Sequence, residues 1–154
     1  MARIDEQTTR EIVAQYDGKP EMLVQILQTI VSRCGWIPPE TIRQLAEELN
    51  LSRAEVHGVI EYYHDFRTGE PGKHIVKICQ AEACQAMGSR ELTEQAKKML
   101  AINFNDTAND ITLEPVYCLG NCACSPAVMI DGKTYGRVDE SRFTSLLDTM
   151  RGND

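Results

Sequence analysis

The sequence predicts an α+β protein in two parts, a helical bundle over residues 1–70 and an α/β domain with a small mixed sheet over residues 73–154. Three observations carry this reading. In the first part the apolar residues recur at helical spacing. The stretch "RTGEPGK" then interrupts that pattern with glycine and proline, and the boundary is placed near Glu70 to Lys73. Beyond it, strand-length apolar runs alternate with helical stripes.

In the first part, Met22, Leu23, Ile26, Leu27, Ile30 and Val31 fall at i, i+1, i+4, i+5, i+8 and i+9, one broad apolar face of a helix that ends near Cys34-Gly35. In "GWIPPE" the paired prolines break that helix, and Pro39 suits the first position of the next, where its missing N–H is not needed. Ile42, Leu45, Ala46 and Leu49 give the second stripe. Ser52 followed by Glu55 is a capping box, so a third helix is expected from about residue 53, carrying Val56, Val59, Ile60 and Tyr63.

In the second part, "HIVKI" is a strand, and "SRELTEQAKKML" places Leu92, Ala96, Met99 and Leu100 at helical spacing. "ITLEPVY" is a second strand, weakened by Pro115. In "PAVMIDGKTYGRV", Asp131-Gly132 between two β-prone runs marks a hairpin with a type I′ turn. A last helix from about Glu140 is expected to bury Phe143, Leu146, Leu147 and Met150. The order β-α-β-β-β-α makes the first two strands parallel through their helix and the last two antiparallel, an arrangement that resembles a trimmed thioredoxin fold.

Composition narrows the function. A hydrophobic share of 42% over 154 residues supports a core without disulfides. The opening stretch carries charges throughout and no apolar h-region, and no uncharged run approaches membrane-spanning length, so the expectation is a soluble cytoplasmic protein with no membrane insertion. The 16 basic residues are scattered among 23 acids, giving a net charge of -7 and no grip for nucleic acid. There is no glycine-rich dinucleotide loop, no Walker pattern and no Ser/His/Asp constellation, so the isolated chain is not expected to turn over a substrate or bind NAD. Six cysteines in a reducing compartment point to metal or redox chemistry.

Their spacing separates the alternatives only in part. Cys79 and Cys84 follow the first strand of the second part, and Cys118 and Cys122 follow the second strand, in "YCLGNCACSP". Parallel neighbours bring both loops to one end of the sheet, so the four sulfurs are expected to converge. The gaps within each pair are wider than the short knuckles of tetrahedral zinc and favour a [2Fe–2S] cluster, with zinc or free thiols as the alternatives. Gly88 and Gly120 give backbone N–H groups access to sulfur, and a plain turn role explains them equally well. Cys124 is either a spare thiol or a substitute ligand, its offset from the motif favouring a plain packing role, and Cys34 is a small buried hydrophobe. His57, His64 and His74 lie outside both cysteine loops.

The segments "KICQAEAC" and "YCLGNCACSPAVMID" resemble the thioredoxin-like [2Fe–2S] ferredoxin family, which includes the small iron–sulfur subunit of NADH dehydrogenase modules. "GWIP" and "EVHGVIEYYHDF" resemble the helical domain that precedes the ferredoxin there, so the likeness covers nearly the whole chain. It implies one [2Fe–2S] cluster with Cys79, Cys84, Cys118 and Cys122 as cofactor and metal ligands, and no catalytic residue. Within the family, "QAEACQAMGS" and "EYYHDF" look most like the gamma subunit of cytoplasmic NAD-dependent formate dehydrogenase. That likeness implies an oxidoreductase complex in which this chain carries electrons without catalysing the reaction. FMN and NAD would sit on a flavin- and NAD-binding partner subunit, alongside a molybdenum-containing formate dehydrogenase subunit. The alternatives are the equivalent subunit of an NADH dehydrogenase or NAD-reducing hydrogenase, and a zinc or thiol module without electron transfer.

Overall fold

A computed structural model describes residues 4–152 of the chain, which forms two compact units, one ending at Glu70 and the other beginning at Pro71. The first unit is helical: α1 (Glu6–Ala14), a 3-10 turn (Pro20–Met22), α2 (Leu23–Cys34), α3 (Pro39–Glu48) and α4 (Arg53–Tyr62). Its core is built from Ile12, Ile26, Leu27, Ile30, Leu45, Val56 and Ile60. The expected devices are in place. Gly35, at φ 84, takes the left-handed conformation that ends α2, Pro39 opens α3, and Ser52 and Glu55 close a capping box at α4.

Two features of this unit differ from expectation. Helix α1 is additional. It buries only Thr9, Ile12 and Val13, too narrow a stripe to stand out among its charges, and Asp5 caps it by accepting from the Thr8 N–H at 2.8 Å. Tyr63 lies outside α4, with extended backbone at φ -96 and ψ 107, and is 42% exposed. The turn that follows brings Phe66 into the core in its stead, with the Phe66 N–H bonded to the Tyr63 carbonyl at 2.9 Å.

The second unit contains β1 (His74–Cys79), α5 (Glu82–Ala86), α6 (Ser89–Leu100), β2 (Thr107–Ala108), β3 (Ile111–Val116), β4 (Val128–Ile130), β5 (Lys133–Tyr135) and α7 (Glu140–Gly152). The strands form one mixed sheet in the order β2-β3-β1-β4-β5. Strands β1 and β3 run parallel, Val76 opposite Leu113 and Cys79 opposite Val116, while β4 lies antiparallel to both β1 and β5. This is a thioredoxin-like α+β arrangement. The sheet has one strand more than expected, because the two-residue β2 is too short to show a period. It covers β3 only at Ile111 and Thr112, so Pro115 lies where β3 is an edge on that side.

Both central residues of the β4–β5 turn have positive φ, 48 at Asp131 and 81 at Gly132, as a type I′ turn requires. The Asp131 carboxylate also ties the turn to β1, accepting from the Ile75 N–H at 2.8 Å and pairing with His74 at 2.7 Å. Val76, Ile78, Leu113 and Val128 of the sheet pack with Leu92, Ala96 and Leu100 of α6 and with Phe143, Leu147 and Met150 of α7. Met99 falls at the margin of the buried face of α6 and is 40% exposed, and Leu146 is only partly buried. Among the described residues, no helix is long and apolar enough to cross a membrane.

Candidate metal centre

Because β1 and β3 are parallel neighbours, the chain leaves both at the same end of the sheet. Cys79 is the last residue of β1 rather than a loop residue, held by its N–H to the Ala127 carbonyl at 3.0 Å. The next N–H, of Gln80, bonds the Val116 carbonyl at the end of β3 at 2.7 Å. Cys84 lies in the short helix α5, where a continuous loop was expected. Cys79 and Cys84 are both buried, 2% exposed, against Ala127 and flanked by Ala81, Val116 and Leu119. Cys118 follows β3, and Cys122 opens the 3-10 turn Cys122–Cys124; both are exposed.

The four thiols fall in two pairs, in which Cys79 and Cys84 lie close enough to influence each other, as do Cys118 and Cys122, while Cys122 also lies within electrostatic reach of Cys84. Among the described residues no three Cys, His, Asp or Glu side chains gather around one point. All six cysteines are free thiols. Burial pushes the Cys79 thiol up, aided by its bond to Cys84. Burial also works upward on Cys84, but its interactions with Ser125, Cys79 and the Ala127 N–H, which favour the ionised sulfur, together outweigh it and bring this thiol down. The Cys122 thiol is raised by its hydrogen bond to Cys118 and by the negative charge that Cys118 carries when ionised.

Backbone amides point at these sulfurs. The N–H groups of Ala81 and Leu119 reach Cys79, that of Ala127 reaches Cys84, and that of Gly120 donates to Cys118 Sγ at 3.3 Å. Gly120 makes this contact at φ 70, a conformation that disfavours a side chain. Gly88 instead serves as a turn, with φ 96 at the start of α6 and its N–H on the Gln85 carbonyl. Gly136 allows a close approach: a Cβ there would lie 2.6 Å from Cys124 Cβ and 2.7 Å from Asn121 Nδ2. The segment after β5 is thereby laid against the cysteine turn, with Arg137 N–H on the Cys124 carbonyl at 2.6 Å and Val138 N–H on the Pro126 carbonyl at 3.0 Å.

Polar residues that the sequence did not single out complete the surroundings. Ser89 donates to the Cys79 carbonyl, Gln80 Nε2 donates to Thr93 Oγ1 at 2.9 Å, and Gln85 Nε2 donates to the Gln80 carbonyl at 2.6 Å, fixing the connection from β1 into α6. Ser125 bridges the cysteine pairs, its Oγ 3.4 Å from Cys84 Sγ and donating to the Cys122 carbonyl at 2.8 Å. Only the hydroxyl beside "NCAC" signals this in the sequence, since its partner Cys84 is 41 positions away. Cys124 is half-buried, and Cys34 is buried in the first unit with its thiol on the Ile30 carbonyl at 3.2 Å. Of the histidines, His57 lies on α4 and His64 in the first unit, and His74 is at the opposite end of β1 from Cys79.

A family model described as thioredoxin-like [2Fe-2S] ferredoxin matches residues 9–151. The chain is 31% identical over 135 residues to an NADH-quinone oxidoreductase subunit of Pseudomonas aeruginosa, covering 86% of this chain and 81% of that protein. It is 29% identical over 143 residues to the NADP-reducing hydrogenase subunit HndA of Solidesulfovibrio fructosivorans, covering 90% of this chain and 84% of that one. Among solved structures, an NAD+-reducing [NiFe]-hydrogenase in the H2-reduced state superposes with a TM-score of 0.72 at 20% identity over 88% of this chain. The chain spans only 23% of that hydrogenase chain, and at this identity the likeness concerns the fold alone.

Proposed function

The chain belongs to the thioredoxin-like [2Fe–2S] ferredoxin family, and from that premise we propose that Cys79, Cys84, Cys118 and Cys122 hold one [2Fe–2S] cluster. On this reading the protein is an electron-transfer subunit that exchanges single electrons with the flavin of an NAD(H)-binding partner. The observation that carries the reading is the meeting of a buried pair, Cys79 and Cys84, and an exposed pair, Cys118 and Cys122, at the shared end of β1 and β3, where Ser125 lies 3.4 Å from Cys84 Sγ and 2.8 Å from the Cys122 carbonyl oxygen. A binuclear cluster takes two thiolates on each iron, whereas a structural zinc needs four donors around one point. The donor set of four thiols and several inward amides, without imidazole or carboxylate, suits the former.

Bound there, the cluster supplies one-electron chemistry that none of the side chains can supply. The chain's own groups do the rest. Cys79 and Cys84, buried with Ala127, keep water from one side of the site. The amides of Ala81, Leu119, Gly120 and Ala127 direct their positive ends at sulfur and stabilise negative charge without reorganising. On the other side Cys118 and Cys122 are exposed beside Tyr117, which is 66% exposed, so this side is the one we assign to the partner. An exposed aromatic next to a redox group provides apolar contact area for docking.

For the parent complex, the segments "QAEACQAMGS" and "EYYHDF" support an NAD-dependent formate dehydrogenase, with a molybdenum-containing subunit in the larger assembly. The names of the relatives support an NADH dehydrogenase or hydrogenase module equally. In each case the chain is non-catalytic, its flavin and NAD are the partner's, and it works in the cytoplasm. The test begins with anaerobic purification, iron and sulfide assay, and electron paramagnetic resonance before and after dithionite. About two irons and two sulfides per chain, with a signal appearing only on reduction, are expected. A silent protein holding one zinc overturns the reading. The parent complex is then identified by purifying the tagged chain with its native partners and assaying NAD reduction with formate and with hydrogen, and quinone reduction with NADH.

A further inference from the structure

The hydroxyl of Ser125 stands between the two thiol pairs. Its oxygen lies 3.4 Å from Cys84 Sγ and 2.8 Å from the Cys122 carbonyl oxygen, and the residue is only 7% exposed. A serine hydroxyl carries a single proton and rotates freely about its C–O bond. While Cys84 is a thiol, its S–H donates to Ser125 Oγ and the serine proton goes to the Cys122 carbonyl. A Cys84 sulfur that has given up its proton to bind metal has nothing to donate and becomes a second acceptor for the serine proton. The choice between sulfur and carbonyl then depends on how much negative charge the sulfur carries.

We propose that Ser125 is a potential-setting residue, whose hydroxyl turns toward Cys84 Sγ as negative charge builds there and so favours the one-electron reduced state. This deepens the reading given under Proposed function and rests on it. One electron enters the site from the partner's flavin, no proton leaves Ser125, and only the acceptor of its hydrogen bond changes. A hydrogen bond to a charged acceptor is stronger than one to a neutral carbonyl, and the buried position of Cys84, at 2% exposure, leaves little water to screen it. The same hydroxyl, when released by sulfur, steadies the Cys122 carbonyl, so the two pairs share one proton donor. Ser125 touches a ligand sulfur and does not itself carry the electron.

The test compares the wild-type chain with Ser125→Ala, Ser125→Gly and Ser125→Thr, each purified anaerobically, assayed for iron and sulfide, and titrated by spectroscopy against redox mediators. Ser125→Ala and Ser125→Gly are expected to load the cluster fully and to be about tenfold harder to reduce, a midpoint about 59 mV more negative for one electron. Ser125→Thr, which keeps the hydroxyl, is expected to stay within about twofold of wild type. The proposal is overturned if the Ala or Gly midpoint stays within twofold of wild type, or if the Thr midpoint falls with them. It is also overturned if Ala and Gly fail to load while wild type and Thr load, because the hydroxyl would then serve assembly and not potential. Absence of a cluster from the wild-type protein is a different result: it removes the reading under Proposed function, and this inference falls with it.

Discussion

At the scale of single residues, chemically identical cysteines occupy unlike environments. Cys79 and Cys84 are sealed in a small apolar cluster, whereas Cys118 and Cys122 face solvent, and Cys124, two positions after Cys122, is half-buried against Gly136. Serine in place of Cys79, Cys84, Cys118 or Cys122 is expected to abolish or strongly reduce iron binding. Cys34→Ser and Cys124→Ser are expected to leave iron and sulfide content at the wild-type level. Metal analysis of the six variants checks this, and loss of iron in Cys124→Ser would reassign the fourth ligand. Gly136→Ala should be destabilising by about 1–3 kcal/mol, the range for overpacking, since its methyl group would meet Cys124 Cβ and Asn121 at less than contact distance. Urea unfolding measures the loss. The four candidate ligands could be singled out in the sequence because their spacing is local. Ser125, Gln80, Ser89 and Thr93 could not, because their bonds depend on how α5 and α6 return to the end of β1.

Helices and strands with a strong period or a strong punctuation signal were readable without coordinates. Helices α2, α3 and α4 combine a broad apolar face with an end signal, Gly35, Pro39 and Ser52 in turn. Helix α1 and strand β2 lack such a face, one burying three residues and the other spanning two. The five-residue α5 is likewise too short to show a stripe, although it positions Cys84. Capping supplies two predictions at this scale. Ser52→Ala removes the hydroxyl that accepts from the Glu55 N–H at 3.2 Å and should destabilise the chain by about 1 kcal/mol, read from urea unfolding at constant slope. Asp5, Glu55 and Asp139 are held below the usual carboxylate range by backbone N–H groups of Thr8, Ser52 and Arg142 respectively. A carboxylate lowered on folding stabilises the folded state above its unfolded value, and that contribution is lost as pH falls through the lower folded value. The urea midpoint should therefore drop on acidification below about pH 4, and the drop should be smaller in an Asp5→Asn, Glu55→Gln, Asp139→Asn triple variant.

For the whole molecule, each unit has its own apolar core, and the candidate ligands all belong to the second. Metal binding adds its free energy to the unit that provides the ligands. Calorimetry of the cluster-free chain should therefore show the transition of the second unit lowered in temperature, with that of the first unchanged. Ile26→Ala should do the reverse, lowering the first unit's transition by about 2–5 kcal/mol of stability, because Ile26 is fully buried in that unit's core. Lowering of both transitions by either perturbation would show that the units unfold together.

By itself the sequence determined the α+β class, the succession of well-patterned helices and strands, the hairpin at Asp131-Gly132 and the two local cysteine pairs, since each is written in neighbours a few positions apart. The β-α-β order also called for parallel first strands and one sheet end for both cysteine loops, and β1 and β3 pair in that way. Tertiary structure decided what that order leaves open: the turn after Tyr63 puts Phe66 in the core, the packing of Gly136 on Cys124 seats the loop that carries Ser125, and Ser125 links Cys84 to the Cys122 turn. Such contacts span tens of residues, and a side chain's burial or hydrogen-bond partner across that distance depends on the path of the intervening chain, which no local period encodes.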